Sequence, residues 1–300
     1  MTAQSRSLDR TFFDLSSRVK LRVTGSDRGR FLQGQITNDI QRADIARSIE
    51  ACVLNAKGKM DAHLFVHAEG DAFLIDADPA LASILQARLE RYIIADDVAI
   101  EDVTARWSIF HVINAAALDL PNNVNRISGN RFGIDGQDLW IDASNHDQLA
   151  DDLAKVMGHC DEQCAETLRI EQGIPRWGHE LTNEIIPVEA NLEARCIDYD
   201  KGCYIGQETI SRMKMSGQRN KQLCGLISVN RDALAARMRL ISEAEGKEIG
   251  WITSAVRSGD REIALAFVKR GFNAVGSKVK AVAAEGAAVS AQIVDLPFGI

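Results

Sequence analysis

The densest run of chemistry-bearing residues in this sequence is Ile197 to Gly217, where Asp198-Tyr199-Asp200 leads into Lys201-Gly202-Cys203-Tyr204-Ile205-Gly206-Gln207-Glu208. A cysteine acts as nucleophile or metal ligand through its thiolate, which a neighbouring cation or a helix N-terminus stabilises. Lys201 lies two positions before Cys203, and Gly202 gives the backbone freedom to turn. Thr209, Ile210 and Met213 recur at helical spacing, so Cys203 falls at or just before a helix start. These features suit a low-pKa thiol that attacks an electrophile or holds a metal transiently. The same residues also make a glycine-rich turn with a structural cysteine and Tyr204 packed beneath it, and spacing alone leaves both readings open.

The other reactive side chains form weaker patterns. His63 and His67 are four apart, but on a strand that spacing merely puts them on one face, and two imidazoles are too few for a structural zinc; they read as surface histidines. His179-Glu180 lacks the second histidine of a zinc-protease helix, because Asn183 stands in its place. Cys160 and Cys164, with His159 beside them, come nearest to metal-ligand spacing, yet no second pair completes a site. The six cysteines (Cys52, Cys160, Cys164, Cys196, Cys203, Cys224) lack the spacing of a disulfide framework or a cluster. They read as reduced thiols, Cys160 and Cys164 as helical residues turned to the core, and no metal site is expected. Neither G-x-x-x-x-G-K-[ST] nor G-x-G-x-x-G occurs, which argues against nucleotide hydrolysis and dinucleotide binding. Lys201, Arg212, Lys214, Arg219 and Lys221 crowd one stretch, either as a solvated face or as a receptor for a polyanion.

Periodicity supplies the elements that must position these residues. Val19 to Thr24 alternates as a half-buried strand does, and Gly25-Ser26-Asp27 turns it into a helix that points Phe31, Leu32 and Ile36 inward. Cys52 to Leu54, Ala62 to His67 and Ala72 to Asp76 read as strands, with Glu69-Gly70-Asp71 as a hairpin turn. Leu81, Ile84, Leu85, Leu89 and Ile93 predict a helix after Pro79, and Val98 to Val103 a strand. Trp107 to Asn114, Arg131 to Ile134 and Asp138 to Asp142 read as further strands, Gln148 to Met157 and Glu162 to Gln172 as helices. No βαβ alternation is present, which favours antiparallel sheets with helices on one face. From Gln222 onward, short apolar runs separated by glycine or charged turns have the rhythm of a small β-barrel, with a boundary near Met215 to Asn220.

Three hundred residues at 46% hydrophobic and 26% charged allow two or three domains with sizeable cores. The net charge of -7 works against generic nucleic-acid binding, which depends on neutralising phosphates. The polar start, Met1 to Arg10, and the absence of any run of eighteen apolar residues predict no secretory signal and no membrane span, hence a cytoplasmic protein.

Lys201-Gly202-Cys203-Tyr204-Ile205-Gly206-Gln207-Glu208 with Arg212 four residues on resembles the K-G-C-Y-x-G-Q-E-x-x-x-R signature of the YgfZ branch of the glycine-cleavage T-protein-like family. Gly25-Ser26-Asp27 with Phe31 to Asp39 (FLQGQITND) is similar to that family's G-x-D-x-x-x-F-L-Q-G-Q-x-T-N-D, and Asn55 to Lys59 to its K-G-[KR] strand. Leu168 to Pro175 resembles a helix end shared with aminomethyltransferases, and Ile186 to Leu192 a P-x-E-x-N-L segment. Gly250 to Ser254 and Ile263 to Val268 look like its closing barrel.

The resemblance implies an α+β fold, a T-protein-like three-domain ring of two α+β domains with antiparallel sheets plus a C-terminal β-barrel. The expected segments are 1–50 with 140–217, 51–139, and 218–300. It implies tetrahydrofolate or a one-carbon derivative in the central opening and support of iron-sulfur protein assembly or repair. The implied partners are folate and iron-sulfur assembly factors or client iron-sulfur proteins. Cys203 is the implied functional residue, with Lys201, Tyr204, Gln207, Glu208 and Arg212 as motif partners. For folate, Lys57, Lys59 and Lys201 are candidates for the glutamyl carboxylates and Trp177 for the pterin. The competing function on the same fold is aminomethyl transfer, which needs no thiol nucleophile.

Overall fold

The computed structural model describes residues 10–115 and 118–299, so most of the polar start lies outside the described residues. The chain enters through β1 (Thr11–Asp14), then β2 (Val19–Thr24), α1 (Arg28–Gln35), β3 (Ile49–Leu54), β4 (Met60–Glu69), β5 (Ala72–Ala77), α2 (Leu85–Glu90) and β6 (Ala99–Asp102). It continues through β7 (Trp107–Ile113), β8 (Asn125–Gly129), β9 (Gly136–Asp142), α3 (His146–Ala154), β10 (Gly158–His159) and α4 (Glu162–Glu171). Two helices follow, α5 (Glu193–Cys196) and α6 (Gln207–Ser216). Six strands complete the chain: β11 (Lys221–Ser228), β12 (Arg239–Ser242), β13 (Glu248–Ser258), β14 (Arg261–Lys269), β15 (Lys278–Val282) and β16 (Ala288–Val294).

One sheet has the order β10-β1-β7-β9-β8 and a second β3-β4-β5-β2-β6; the last six strands form a closed barrel. Every pairing except β1 with β10 is antiparallel, which makes the fold α+β as expected. The sheets divide the chain at 19–102, with β1 joining 107–159, whereas the expected segments 1–50 with 140–217 and 51–139 each hold strands of both sheets. The reason is β1: its partner β7 is remote in sequence, and periodicity carries no information about remote pairing. Arg131 to Ile134 is not a strand; β8 lies at Asn125–Gly129 instead, and Gly133 turns the chain with a φ of +76°.

The two sheets are clamped together by burial and charge. Leu74, Val103, Ile109, Ile127 and Trp140 pack between them. Arg131 crosses the same boundary, giving Nη1 and Nη2 to the two Asp76 carboxylate oxygens at 2.8 Å and its Nε and Nη2 to Asp138 at 2.7–3.0 Å. His111 adds a 2.8 Å hydrogen bond from Nδ1 to Asp138. Removing one partner of such a buried pair costs about 3–5 kcal/mol, because the other charge is left in a low-dielectric interior. Helix α4 seats on the barrel in the same manner: Arg169 Nη2 donates to Ser254 Oγ at 2.7 Å, and that hydroxyl donates to the buried Glu180 at 2.6 Å. No helix among the described residues is long and apolar enough to cross a membrane.

Candidate functional site

The Lys201–Glu208 segment spans the second half of the loop that joins α5 to α6 and the first two residues of α6. Cys203 is exposed on it. Gly206, at the N-terminal cap of α6, has a φ of +84°, and a side chain there would meet the Asn55 carbonyl at 2.6 Å. That turn, not Gly202, carries the backbone requirement, since Gly202 has no positive φ and open space beside it. Gly58 packs on Thr209 of α6, where a Cβ would come within 2.7 Å, so the Asn55–Lys59 turn and the α6 start are built against each other.

Lys201 does not serve the thiol as expected. Its buried ammonium donates to the carbonyls of Gln33, Ile36 and Asn38 at 2.8, 2.6 and 2.8 Å, closing the end of α1 onto the loop. Burial lowers its pKa to about 8. Tyr204 is buried below it, the ammonium 5.1 Å from the ring centroid. Gln207 opens α6, and Glu208 and Arg212 pair at 2.5 Å on its exposed face. The remaining cations of the crowded stretch are matched too: Lys214 and Arg219 bind Glu193 at 3.1 and 2.7 Å, and Lys221 binds Glu189 at 3.0 Å. They form an ion-paired surface.

A second cluster lies where sequence spacing gave no signal. Glu50 on β3, His63 on β4 and Cys196 at the end of α5 bring their ligand atoms within 4.8 Å of one another. His63 Nε2 is 2.7 Å from Glu50 Oε1, and Arg195 Nε donates to Glu50 Oε2 at 2.6 Å. Burial alone would raise the Glu50 pKa; His63 and Arg195 reverse this and hold it at about 2. Burial likewise opposes charge on His63, but hydrogen bonds to Cys196 and Glu50 lift its pKa to about 9. Burial drives the Cys196 pKa well above the ordinary thiol value, helped by its neighbour Cys52 and by Glu50. Thr37 and Asn38 fasten this corner: Thr37 Oγ1 donates to the Cys196 carbonyl at 2.5 Å and accepts from the Cys52 N–H at 2.9 Å, while Asn38 Nδ2 donates to the carbonyls of Glu50 and Arg195 at 2.9 and 3.1 Å.

His63 and His67 are therefore not surface residues. Strand β4 is covered on both faces along most of its length, and burial lowers the His67 pKa to about 4. Nor are all the cysteines free: Cys160, just before α4, and Cys164, in its first turn, form a disulfide, their Cα atoms 5.3 Å apart. The extended N-cap Asp161 folds Cys160 back over the first turn of α4 and brings its Cα within bridging distance of Cys164, in place of the two separate core thiols expected.

A cavity of about 680 Å³ opens between the two sheets and α4. Phe13, Phe65, Phe132 and Trp177 line it together with Arg18, Arg131, Arg169 and Arg176, and Glu50 and His63 reach its wall. Arg18 gives Nε to Asp76, while its buried Nη2 has no hydrogen-bond partner. Lys57, Lys59, Lys201 and Cys203 are absent from the cavity lining; Lys57 is exposed and Lys59 pairs with Glu184. The arginines come from separate stretches of the chain, so local pattern does not reveal that they meet; Arg169 alone lies in a recognised block, Leu168 to Pro175.

Residues 221–298 match the family model of the glycine cleavage T-protein C-terminal barrel domain. Over 252 residues the chain is 30% identical to an uncharacterized protein of Haemophilus influenzae, covering 82% of this chain and 84% of that one. It is 25% identical over 320 residues to an aminomethyltransferase of Streptomyces avermitilis, covering 95% and 85%. The chain belongs to the glycine-cleavage T-protein-like family. The fold of this T-protein-like chain agrees: the crystal structure of the glycine cleavage system aminomethyltransferase T from Bartonella henselae superposes with a TM-score of 0.85 at 18% identity, covering 97% of this chain and 86% of that one.

Proposed function

We propose that this T-protein-like chain binds tetrahydrofolate or a one-carbon derivative in the 680 Å³ cavity and acts, as a YgfZ-type cytoplasmic accessory protein, in iron-sulfur protein assembly or repair. The observation that carries the folate assignment is the cavity wall, where four aromatic rings stand beside four guanidinium groups and Arg18 Nη2 is buried without a partner. Flat pterin and benzoyl rings pack on aromatic faces, and glutamyl carboxylates accept from guanidinium forks. The volume suits a small-molecule site. Trp177 remains the candidate for the pterin face; Arg18, whose Nη2 is unengaged while Arg131, Arg169 and Arg176 are held by carboxylates, replaces Lys57, Lys59 and Lys201 as the candidate for the acidic tail. The K-G-C-Y-x-G-Q-E-x-x-x-R signature and the exposure of Cys203 support the iron-sulfur part, because a thiol outside the folate cavity is accessible to iron-sulfur assembly factors or client proteins.

Calorimetric titration with tetrahydrofolate tests the reading. Binding by the unaltered chain, at least tenfold weaker in Arg18→Gln and unchanged in Cys203→Ala, is the expected result. Absence of binding by the unaltered chain overturns the folate assignment. Cys203→Ala is expected to lose support of iron-sulfur enzyme activity in cells, and full activity of that variant removes the thiol from the function. The curated relatives named aminomethyltransferase favour a second reading, transfer of an aminomethyl group to the folate. Ammonia release from an aminomethylated lipoyl carrier in the presence of tetrahydrofolate would establish it.

A further inference from the structure

We propose that Glu50, His63 and Cys196 form a site for one divalent transition-metal ion of the zinc type at the wall of the cavity. The proposal rests on the donor set and does not depend on the folate reading. Three elements each deliver one donor of a kind zinc accepts, a carboxylate oxygen, an imidazole nitrogen and a sulfur, and the three atoms lie within 4.8 Å of one another. A mixed set containing a thiolate selects against calcium and magnesium, which take oxygen ligands.

The surroundings are those of a built metal site. Arg195 holds Glu50 Oε2 at 2.6 Å and leaves Oε1 turned towards His63, so the carboxylate is oriented from outside as metal-ligating groups are. Thr37 and Asn38 pin the backbones of β3 and α5 together at this corner. Cys196 is fully buried whereas Glu50 and His63 line the cavity, so a bound ion has protein behind it and an open coordination position in front. Three protein ligands with one open position is the arrangement of zinc sites that do chemistry. Glu50 is already paired by His63 and Arg195, and the Cys196 sulfur, with Cys52 next to it, meets the imidazole as a third donor. On binding, the Cys196 thiol proton and the proton shared by His63 and Glu50 leave to solvent as the metal–sulfur and metal–nitrogen bonds form.

The test uses the full chain, stripped with a chelator and equilibrated with Zn²⁺ or Co²⁺. The expected result is one equivalent of zinc by elemental analysis and, with cobalt, a sulfur-to-metal charge-transfer band together with the intense visible bands of a four-coordinate ion. Cys196→Ser and His63→Gln should each weaken zinc binding at least tenfold, and Cys203→Ser should leave it unchanged. Zinc that disappears with Cys203→Ser, or zinc bound equally by Cys196→Ser, overturns the site. Should Cys196→Ser not fold, the cobalt spectrum of the Cys203→Ser chain decides: a thiolate band supports the site and its absence overturns it.

Discussion

Cys196, which ends α5, and Cys203, on the loop that follows, have opposite surroundings. Cys196 is fully buried, fastened through its backbone by Thr37, and faces an imidazole, a carboxylate and a second thiol. Cys203 is exposed, and the cation expected to activate it is engaged with three backbone carbonyls instead. The contrast teaches that most of the motif around Cys203 is architecture. Lys201 closes α1, Tyr204 fills a core, and Gly206 permits the turn against Asn55. Cys203 and the Glu208–Arg212 pair point outward.

Limited alkylation with iodoacetamide, mapped by mass spectrometry, probes the comparison at its largest expected effect. Cys203 should react at least about a hundredfold faster than Cys52, Cys196 and Cys224, because buried thiols label only through opening of the structure. Labelling of Cys203 only after unfolding would erase the distinction between the two sites.

Replacing Lys201 by Met separates architecture from activation. Three carbonyls lose their donor, and the expected destabilisation is about 2–4 kcal/mol. Alkylation of Cys203 should change by less than about threefold, since pKa control of a thiol requires the cation to be near it; a tenfold slowing would return Lys201 to an activating role. The same variant has a pH signature. The Lys201 pKa is depressed by burial from 10.5 to about 8, so between those values the unfolded chain binds more protons than the folded one. Folding stability therefore rises with pH across that window, on the order of 2 kcal/mol at most, and the rise should be missing in Lys201→Met. Urea unfolding near neutrality and near the upper end of the window reads the difference.

Glu208→Gln is the smallest effect. Both partners of the Glu208–Arg212 pair are largely exposed, at 84% and 72%, so the melting temperature should stay within about 1 °C of the unaltered chain. A larger fall would mean that this outward pair also supports α6.

Five of the six barrel strands, the helix after Pro79 and the start of α6 were legible because each is written in local periodicity or turn chemistry, whereas β12 (Arg239–Ser242) is too short to stand out as an apolar run. Gly217 at φ +62° ends α6 at the expected boundary. The Cys160–Cys164 disulfide had a readable signal, an i, i+4 pair at a helix start, that was taken for two separate core residues. The burial of His67 and the half-buried place of His63 at the cavity wall had none, since they depend on what covers β4.

By itself, the sequence determined most of the longer elements, the α+β class and the barrel, together with the motif that marks the Cys203 loop. These depend on neighbours within a few positions along the chain, where steric preference and hydrophobic period act directly. Only the tertiary structure decided what the motif residues do. It sent Lys201 to the carbonyls of Gln33, Ile36 and Asn38, gathered the arginines around one cavity, and brought Glu50, His63 and Cys196 together. Those meetings come from the register of β3 on β4 and the docking of α5, contacts between segments far apart in sequence that no local pattern encodes.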